Sequence, residues 1–159
     1  MAKVGRAARN SSLMRVETIT GSGSDATVAA PSKIIGDAET GEVYFIDNST
    51  HDVVVQLPSP RAGMYFKFII AAGADASVKI LGITTGDADV DIQGTVRVAG
   101  ANFDVTPSTS ALTMAGHDGA LQAGDWLEFI SDGTDWYVSG AMQTASSLVK
   151  EDGLTCATT

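Results

Sequence analysis

The chain holds only two histidines, His51 and His117, and each stands beside an aspartate, Asp52 and Asp118. An imidazole next to a carboxylate is the base half of a nucleophilic triad, which also needs a hydroxyl or thiol within hydrogen-bond reach in space. Both histidines fall in polar turn segments, and serine and threonine are too common along the chain for their presence to single out a nucleophile. The chain contains no G-x-S-x-G elbow, no H-E-x-x-H and no P-loop. An exposed turn residue is the plainer reading of each histidine. No catalytic residue is therefore assigned, and the protein is read as a non-enzyme.

Asp87, Asp89 and Asp91 alternate with small or apolar residues. On an extended strand they would share one side and could hold a hard cation such as calcium. The segment lacks the central glycine and terminal glutamate of an EF-hand loop, and hydrated carboxylates tolerate one another without an ion. A solvated strand face or loop is the expectation, with no metal and no other cofactor. Trp126 and Trp136 sit in two successive apolar runs, where an indole contributes core area, cross-strand contacts, an interface anchor or a stacking platform for sugars.

The charge distribution separates an arm from a body. Nineteen acidic against ten basic residues give a net charge of -9, which repels nucleic-acid phosphates and anionic lipids alike. Lys3, Arg6, Arg9 and Arg15 all precede the first acidic residue, Glu17. Residues 1–15 are thus read as a basic arm suited to an acidic protein surface and ordered on contact. The arm has no interleaved aromatics that would favour nucleic acid. A mitochondrial transit peptide is a rival reading of this acid-free stretch, ranked second because no apolar helical face is evident, and the apolar core of a secretory signal is absent. The residues singled out for partner contact are Lys3, Arg6, Arg9, Arg15, Trp126 and Trp136.

Cys156 is the only cysteine. It permits no intrachain disulfide, cysteine-based zinc site or redox pair, so the fold must be held by packing. No stretch approaches the roughly 18 apolar residues of a membrane span, and the longest candidate, around Met64 to Ala74, is interrupted by Lys67.

The elements that must position these side chains are short strands. Val16 to Thr20, Glu42 to Asp47, Asp52 to Leu57, Met64 to Ile70, Val78 to Leu81, Thr95 to Val98, Asp125 to Ser131 and Asp135 to Ser139 are strand-length runs separated by turn residues. Met64, Phe66, Phe68 and Ile70 share one parity and are expected in the core, with Lys67 on the other face. In the preceding run Val53, Val55 and Leu57 line one side. Asp132-Gly133 predicts a hairpin joining the last two runs, because glycine takes positive φ freely. Ala71 to Ser77 and Thr144 to Lys150 are read as single turns or short helices at most. The fold class is all-β, a sandwich or barrel-like domain over residues 16–140, with a tail or short helix over 141–159.

Two segments carry a resemblance. Gly124 to Gly140, GDWLEFISDGTDWYVSG, is similar to a "GD-hydrophobic, DGT-x-WYV-x-G" ending found in small virion proteins of tailed bacteriophages. Val54 to Phe68, VVQLPSPRAGMYFKF, resembles the "LP-x-x-x-x-G" block that precedes it. The resemblance implies a β-sandwich or jelly-roll-like domain, often a homotrimer, and brings no catalytic residues. It further implies a capsid decoration (cement) protein on the virion surface, bound to the major capsid protein and bridging shell subunits, with no nucleic acid, membrane or small-molecule substrate. Compact length favours decoration over a fibre or spike module. The rival from another class is a carbohydrate-binding β-module using the tryptophan-bearing hairpin and the Asp87 to Asp91 cluster with calcium.

Overall fold

The computed structural model describes residues 15–21, 26–27, 29–72, 79–116, 121–143 and 149–150. Six strands come first: β1 (Val16–Thr20), β2 (Lys33–Ile34), β3 (Val43–Asp47), β4 (Val53–Gln56), β5 (Tyr65–Ala72) and β6 (Lys79–Thr84). Six follow: β7 (Ile92–Val98), β8 (Ala101–Val105), β9 (Ala111–Gly116), β10 (Trp126–Ser131), β11 (Trp136–Met142) and β12 (Val149–Lys150). They form a seven-stranded sheet, ordered β1-β3-β5-β10-β11-β7-β8, and a five-stranded sheet, ordered β12-β9-β6-β4-β2. The protein is an all-β sandwich.

The first half has a connectivity that composition did not reveal. β1, β3 and β5 run parallel in one sheet, while β2, β4 and β6 run parallel in the other. Parallel neighbours need a crossover, which is usually a helix; here each crossover is a strand of the opposite sheet. The chain therefore winds as flattened coils, advancing from Val16 to Val43 and from Val43 to Lys67 between paired residues. Antiparallel pairs β10–β11 and β7–β8 complete the large sheet. This mixture of parallel and antiparallel pairing belongs to the sandwich alternative and not to an antiparallel jelly roll.

Between the sheets lies one core. Met64, Phe66, Phe68 and Ile70 are all buried, as their parity predicts, and Val53, Val55 and Leu57 face them from the smaller sheet. Val54, on the other face of β4, is buried as well, packed over Gly82. Tyr44 stacks on Phe68 at 5.4 Å, Phe68 meets Phe129 edge-on at 5.7 Å, and Phe66 lies 5.7 Å from Trp136.

The Asp132-Gly133 hairpin is present, with Ser131 paired to Trp136 and Gly133 at φ +108°. β2, β8 and β9 are additional strands, their sequences being short or alanine-rich. β7 begins at Ile92, three residues before the expected run, because Gly94 is a strand residue and not a breaker. β11 continues to Met142, and Val149–Lys150 pairs with β9 where a tail or short helix was expected.

Candidate functional site

Strand alternation gives the large sheet an outer face as well as a core face. On β5 it presents Tyr65, Lys67 and Ile69; on β10, Trp126, Glu128 and Ile130; on β11, Tyr137, Ser139 and Ala141. Register sorts these into three rows across the strands: Ile69–Trp126–Ala141, Lys67–Glu128–Ser139 and Tyr65–Ile130–Tyr137. A polar row is thus flanked by two rows rich in aromatic and aliphatic groups.

The polar row is internally ordered. The Glu128 carboxylate accepts hydrogen bonds from the Tyr65 hydroxyl at 3.0 Å and the Ser139 hydroxyl at 3.2 Å, and lies 3.6 Å from the Lys67 ammonium. Lys67 also sits over the Trp126 ring, 4.2 Å from its centroid, a cation–π contact. Burial, followed by the hydrogen bond to Glu128, pushes the Tyr65 phenol up, so it stays protonated and keeps donating. Beside this row lies a shallow depression of about 190 Å³, lined by Tyr65, Glu128, Ile130, Tyr137 and Ser139 among others. Ile130 is 52% exposed and Tyr137 40%. At its rim the Tyr137 hydroxyl donates to Asp132 at 3.1 Å. Backbone N–H donors from Asp135 and Thr134 hold the Asp132 carboxyl below its usual range, keeping it charged. These groups are already committed to one another by hydrogen bonds and charge pairing.

No family model matches the chain, and comparison with curated proteins finds no match.

The expected contact residues separate. Trp126 lies on the outer face, but Trp136 does not: it is wholly buried against Phe66, a core residue with its Nε1 donor lacking a hydrogen-bond partner. Placing both indoles at a partner surface is therefore corrected for Trp136, because β10 and β11 aim residues 126 and 136 at opposite faces of the sheet. Arg15 is spent on its own domain, paired with Glu42 at 3.1 Å and donating to the Ala38 carbonyl at 3.3 Å. Lys3, Arg6, Arg9 and His117 lie outside the described residues. His51 stands in the turn between β3 and β4, at the end of the sheet away from the depression.

Asp87, Asp89 and Asp91 do not line a strand. They form a turn in which Asp87 accepts the Asp89 N–H at 3.0 Å and Asp135 accepts the Asp91 N–H at 3.1 Å. The carboxylates that do converge, within 4.8 Å among the described residues, are Glu17, Glu39 and Glu42. Their cation is Lys33, whose Nζ lies 2.9 Å from Glu17 and 2.8 Å from Glu39, while the buried Tyr44 hydroxyl donates to Glu42 at 3.2 Å. This network closes the core where β1 and β2 form adjacent sheet edges. The sequence carries one sign of it: Glu17 shares parity with buried Ile19, so it had to face inward.

The hydrogen bond that Lys33 donates to Glu39 raises the Lys33 ammonium against the opposing effect of burial. Burial pushes the Glu39 carboxyl up, but the Lys33 and Gly36 hydrogen bonds outweigh it and hold the group low. The depressed carboxyl contributes stability above its unfolded pKa that is lost as pH falls through the folded value. The raised ammonium contributes stability that is lost only as pH rises through its folded value, above about 10.4. Lys33→Met is expected to cost about 1–2 kcal/mol at neutral pH, discounted for partial exposure. Because Lys33 then no longer holds the Glu39 carboxyl low, that deficit should shrink as pH falls from about 7 to about 4. Melting curves across this range check it; a deficit constant with pH would exclude the charge argument.

The strand directions also gather charge. β1, β3, β5, β7 and β11 begin, and β8 and β10 finish, at the same end of the large sheet. The loops there bring Asp37, Glu39 and Glu42, then Asp87, Asp89 and Asp91, then Asp132 and Asp135, against Arg15 and Arg61. Arg61 is paired with Asp37 at 2.7 Å. One end of the sandwich is therefore acidic, and the depression opens beside it.

Proposed function

We propose that the protein is an adhesive structural component of a phage particle, a capsid decoration (cement) protein that attaches through the outer face of its large sheet to a shell built of major capsid protein. The observation that carries this reading is the pair of apolar rows flanking the ordered Lys67–Glu128–Ser139 strip on an open sheet face. Exposed aromatic and aliphatic groups around fixed polar ones are the usual anchors of protein interfaces. A surface held by strand pairing loses little freedom on docking. The resemblance of Gly124 to Gly140 and Val54 to Phe68 to virion proteins points to the same setting.

Such a face stabilises a shell by mass action, since whatever binds the assembled subunits opposes their separation. Arrangement as a homotrimer would present three faces together, so weak individual contacts combine. No catalysis and no nucleic-acid, membrane or small-molecule ligand enters this reading.

The test mixes purified protein with undecorated shells and measures co-sedimentation. Stoichiometric attachment is expected for the wild-type chain. Ile130→Asp with Tyr137→Ala should weaken it by about 100-fold, the loss of a central anchor pair, with the melting temperature nearly unchanged. Attachment that ignores the double substitution would sink this assignment. Glycan binding lost in Trp126→Ala would instead favour the carbohydrate-module alternative.

A further inference from the structure

We infer that the depression between Tyr65 and Tyr137 takes an arginine side chain from the surface to which the protein attaches, with the guanidinium at Glu128 and its aliphatic stem over Ile130. The source of the arginine rests on the attachment reading; the preference of the depression for a guanidinium rests on its own geometry.

The first support is the balance of donors and acceptors. An ionised carboxylate only accepts, so a hydroxyl that meets one must be donating. Tyr65 and Ser139 turn their protons to Glu128, at 3.0 Å and 3.2 Å, and Tyr137 turns its proton to Asp132 at 3.1 Å. β10 lies between β5 and β11, and β11 between β10 and β7, so the backbone N–H and C=O groups beneath the depression are engaged in the ladders. Every hydroxyl proton of the lining is thus already placed, and what is left for a visitor is lone pairs on the phenol, serine and carboxylate oxygens. An acidic or phosphate group would find no donor there except Lys67, which lies beside Glu128 and over Trp126. Arginine is the complement: five N–H donors and no acceptor.

The second support is charge and shape. Asp132 accepts from the Asp135 and Thr134 backbone at 3.0 Å and 2.8 Å, which keeps it charged, and it has no ion pair among the described residues. The loop before β5 lies against this turn, Gly63 donating to the Ser131 carbonyl at 2.8 Å, but its Arg61 is paired with Asp37. Glu128 and Asp132 therefore bracket the exposed Ile130 and Tyr137 with Lys67 alone to balance them. A shallow apolar floor with acidic edges fits a long side chain whose stem is apolar and whose head is charged. Arginine suits it better than lysine, because a planar, weakly hydrated guanidinium rests on a phenol ring more readily than a strongly hydrated ammonium does. Lys67 over Trp126 is the same pairing of cation, ring and Glu128 made within the chain, on the other side of the polar row.

Titration of the isotope-labelled full-length protein with N-acetyl-arginine methylamide, followed by backbone amide shifts, tests this against the lysine and norleucine analogues. Shifts are expected to centre on Ile130, Tyr137 and Ser139 with a midpoint of about 5 mM. The lysine analogue should bind about threefold more weakly and the norleucine analogue about tenfold. Glu128→Gln with Asp132→Asn should weaken the arginine probe about tenfold with the melting temperature nearly unchanged, and Tyr137→Leu, which leaves both carboxylates, about threefold. Shifts spread evenly over acidic loops such as those of Asp37 and Asp87, a lysine or norleucine probe as tight as arginine, or indifference to the double substitution would each overturn the inference. On undecorated shells, attachment of the wild type and of the double variant with equal strength would overturn it while leaving the attachment reading intact. Wild-type protein that ignores shells would instead sink the attachment reading, and with it the source of the arginine, whatever the titration shows.

Discussion

Trp136→Ala is expected to lower the free energy of unfolding by about 3–5 kcal/mol, the range for emptying a large aromatic site in a core. Its ring is wholly buried at the start of β11 and packs 5.7 Å from Phe66, which in turn neighbours Tyr44 at 6.4 Å. The cavity would open between β5 and β11, on opposite sides of β10, where paired backbones prevent collapse. Trp126→Ala, on the outer face, should cost about 1 kcal/mol or less, mainly the Lys67 contact. Trp136→Phe should recover a good part of the loss, because it keeps an aromatic ring and removes an indole N–H buried without a partner. Denaturant unfolding of the three variants checks the order. Equal losses at the two tryptophans would contradict the opposite burial of their side chains.

Gly94→Ala is expected to be at least as damaging, costing about 4 kcal/mol or more and leaving little soluble protein. Gly94 lies in β7, paired with Val138 on one side and Val105 on the other, at φ +147°. A Cβ there would run into the Val138 carbonyl oxygen. That atom belongs to the backbone of a neighbouring strand and cannot turn aside as a side chain would. Relief requires breaking the β7–β11 ladder, and the φ penalty for a non-glycine residue adds to it. Gly100→Ala is the control: φ is +89° but nothing lies within 4 Å of the added carbon, so only the conformational cost of about 1–2 kcal/mol should appear. Soluble yield and thermal melting of both variants measure the difference. A Gly94→Ala protein as stable as Gly100→Ala would show that β7 does not approach β11 as closely as this structure places it.

Much of the local structure was legible from residues alone. Phe66, Phe68 and Ile70 had to face one way because side chains on a strand alternate, and burial of one face is the only way to remove that much apolar surface from water. Asp132-Gly133 marked the hairpin for the same local reason, a backbone conformation that glycine accepts. Even the separation of Trp126 from Trp136 was latent there. A loop with an even number of residues sets residues ten apart, one on each arm, on opposite faces, so only one indole could be exposed. By contrast, β8 and β9 gave weak signals because alanine, asparagine and threonine in them earn their strand state from neighbours rather than from propensity.

The sequence by itself determined that this chain makes short strands, which residues of most of them share a face, and that its first fifteen residues are basic while the rest is acidic. Only the tertiary structure decided that the early strands wind as coils between two sheets, that Lys67, Glu128 and Ser139 form one row, that Lys33 rests among Glu17 and Glu39, and that eight loop carboxylates collect at the end where the chain enters. The reason is physical: alternation is a property of neighbouring residues along one strand, whereas pairing joins residues tens of positions apart and is selected by the packing of the whole sandwich.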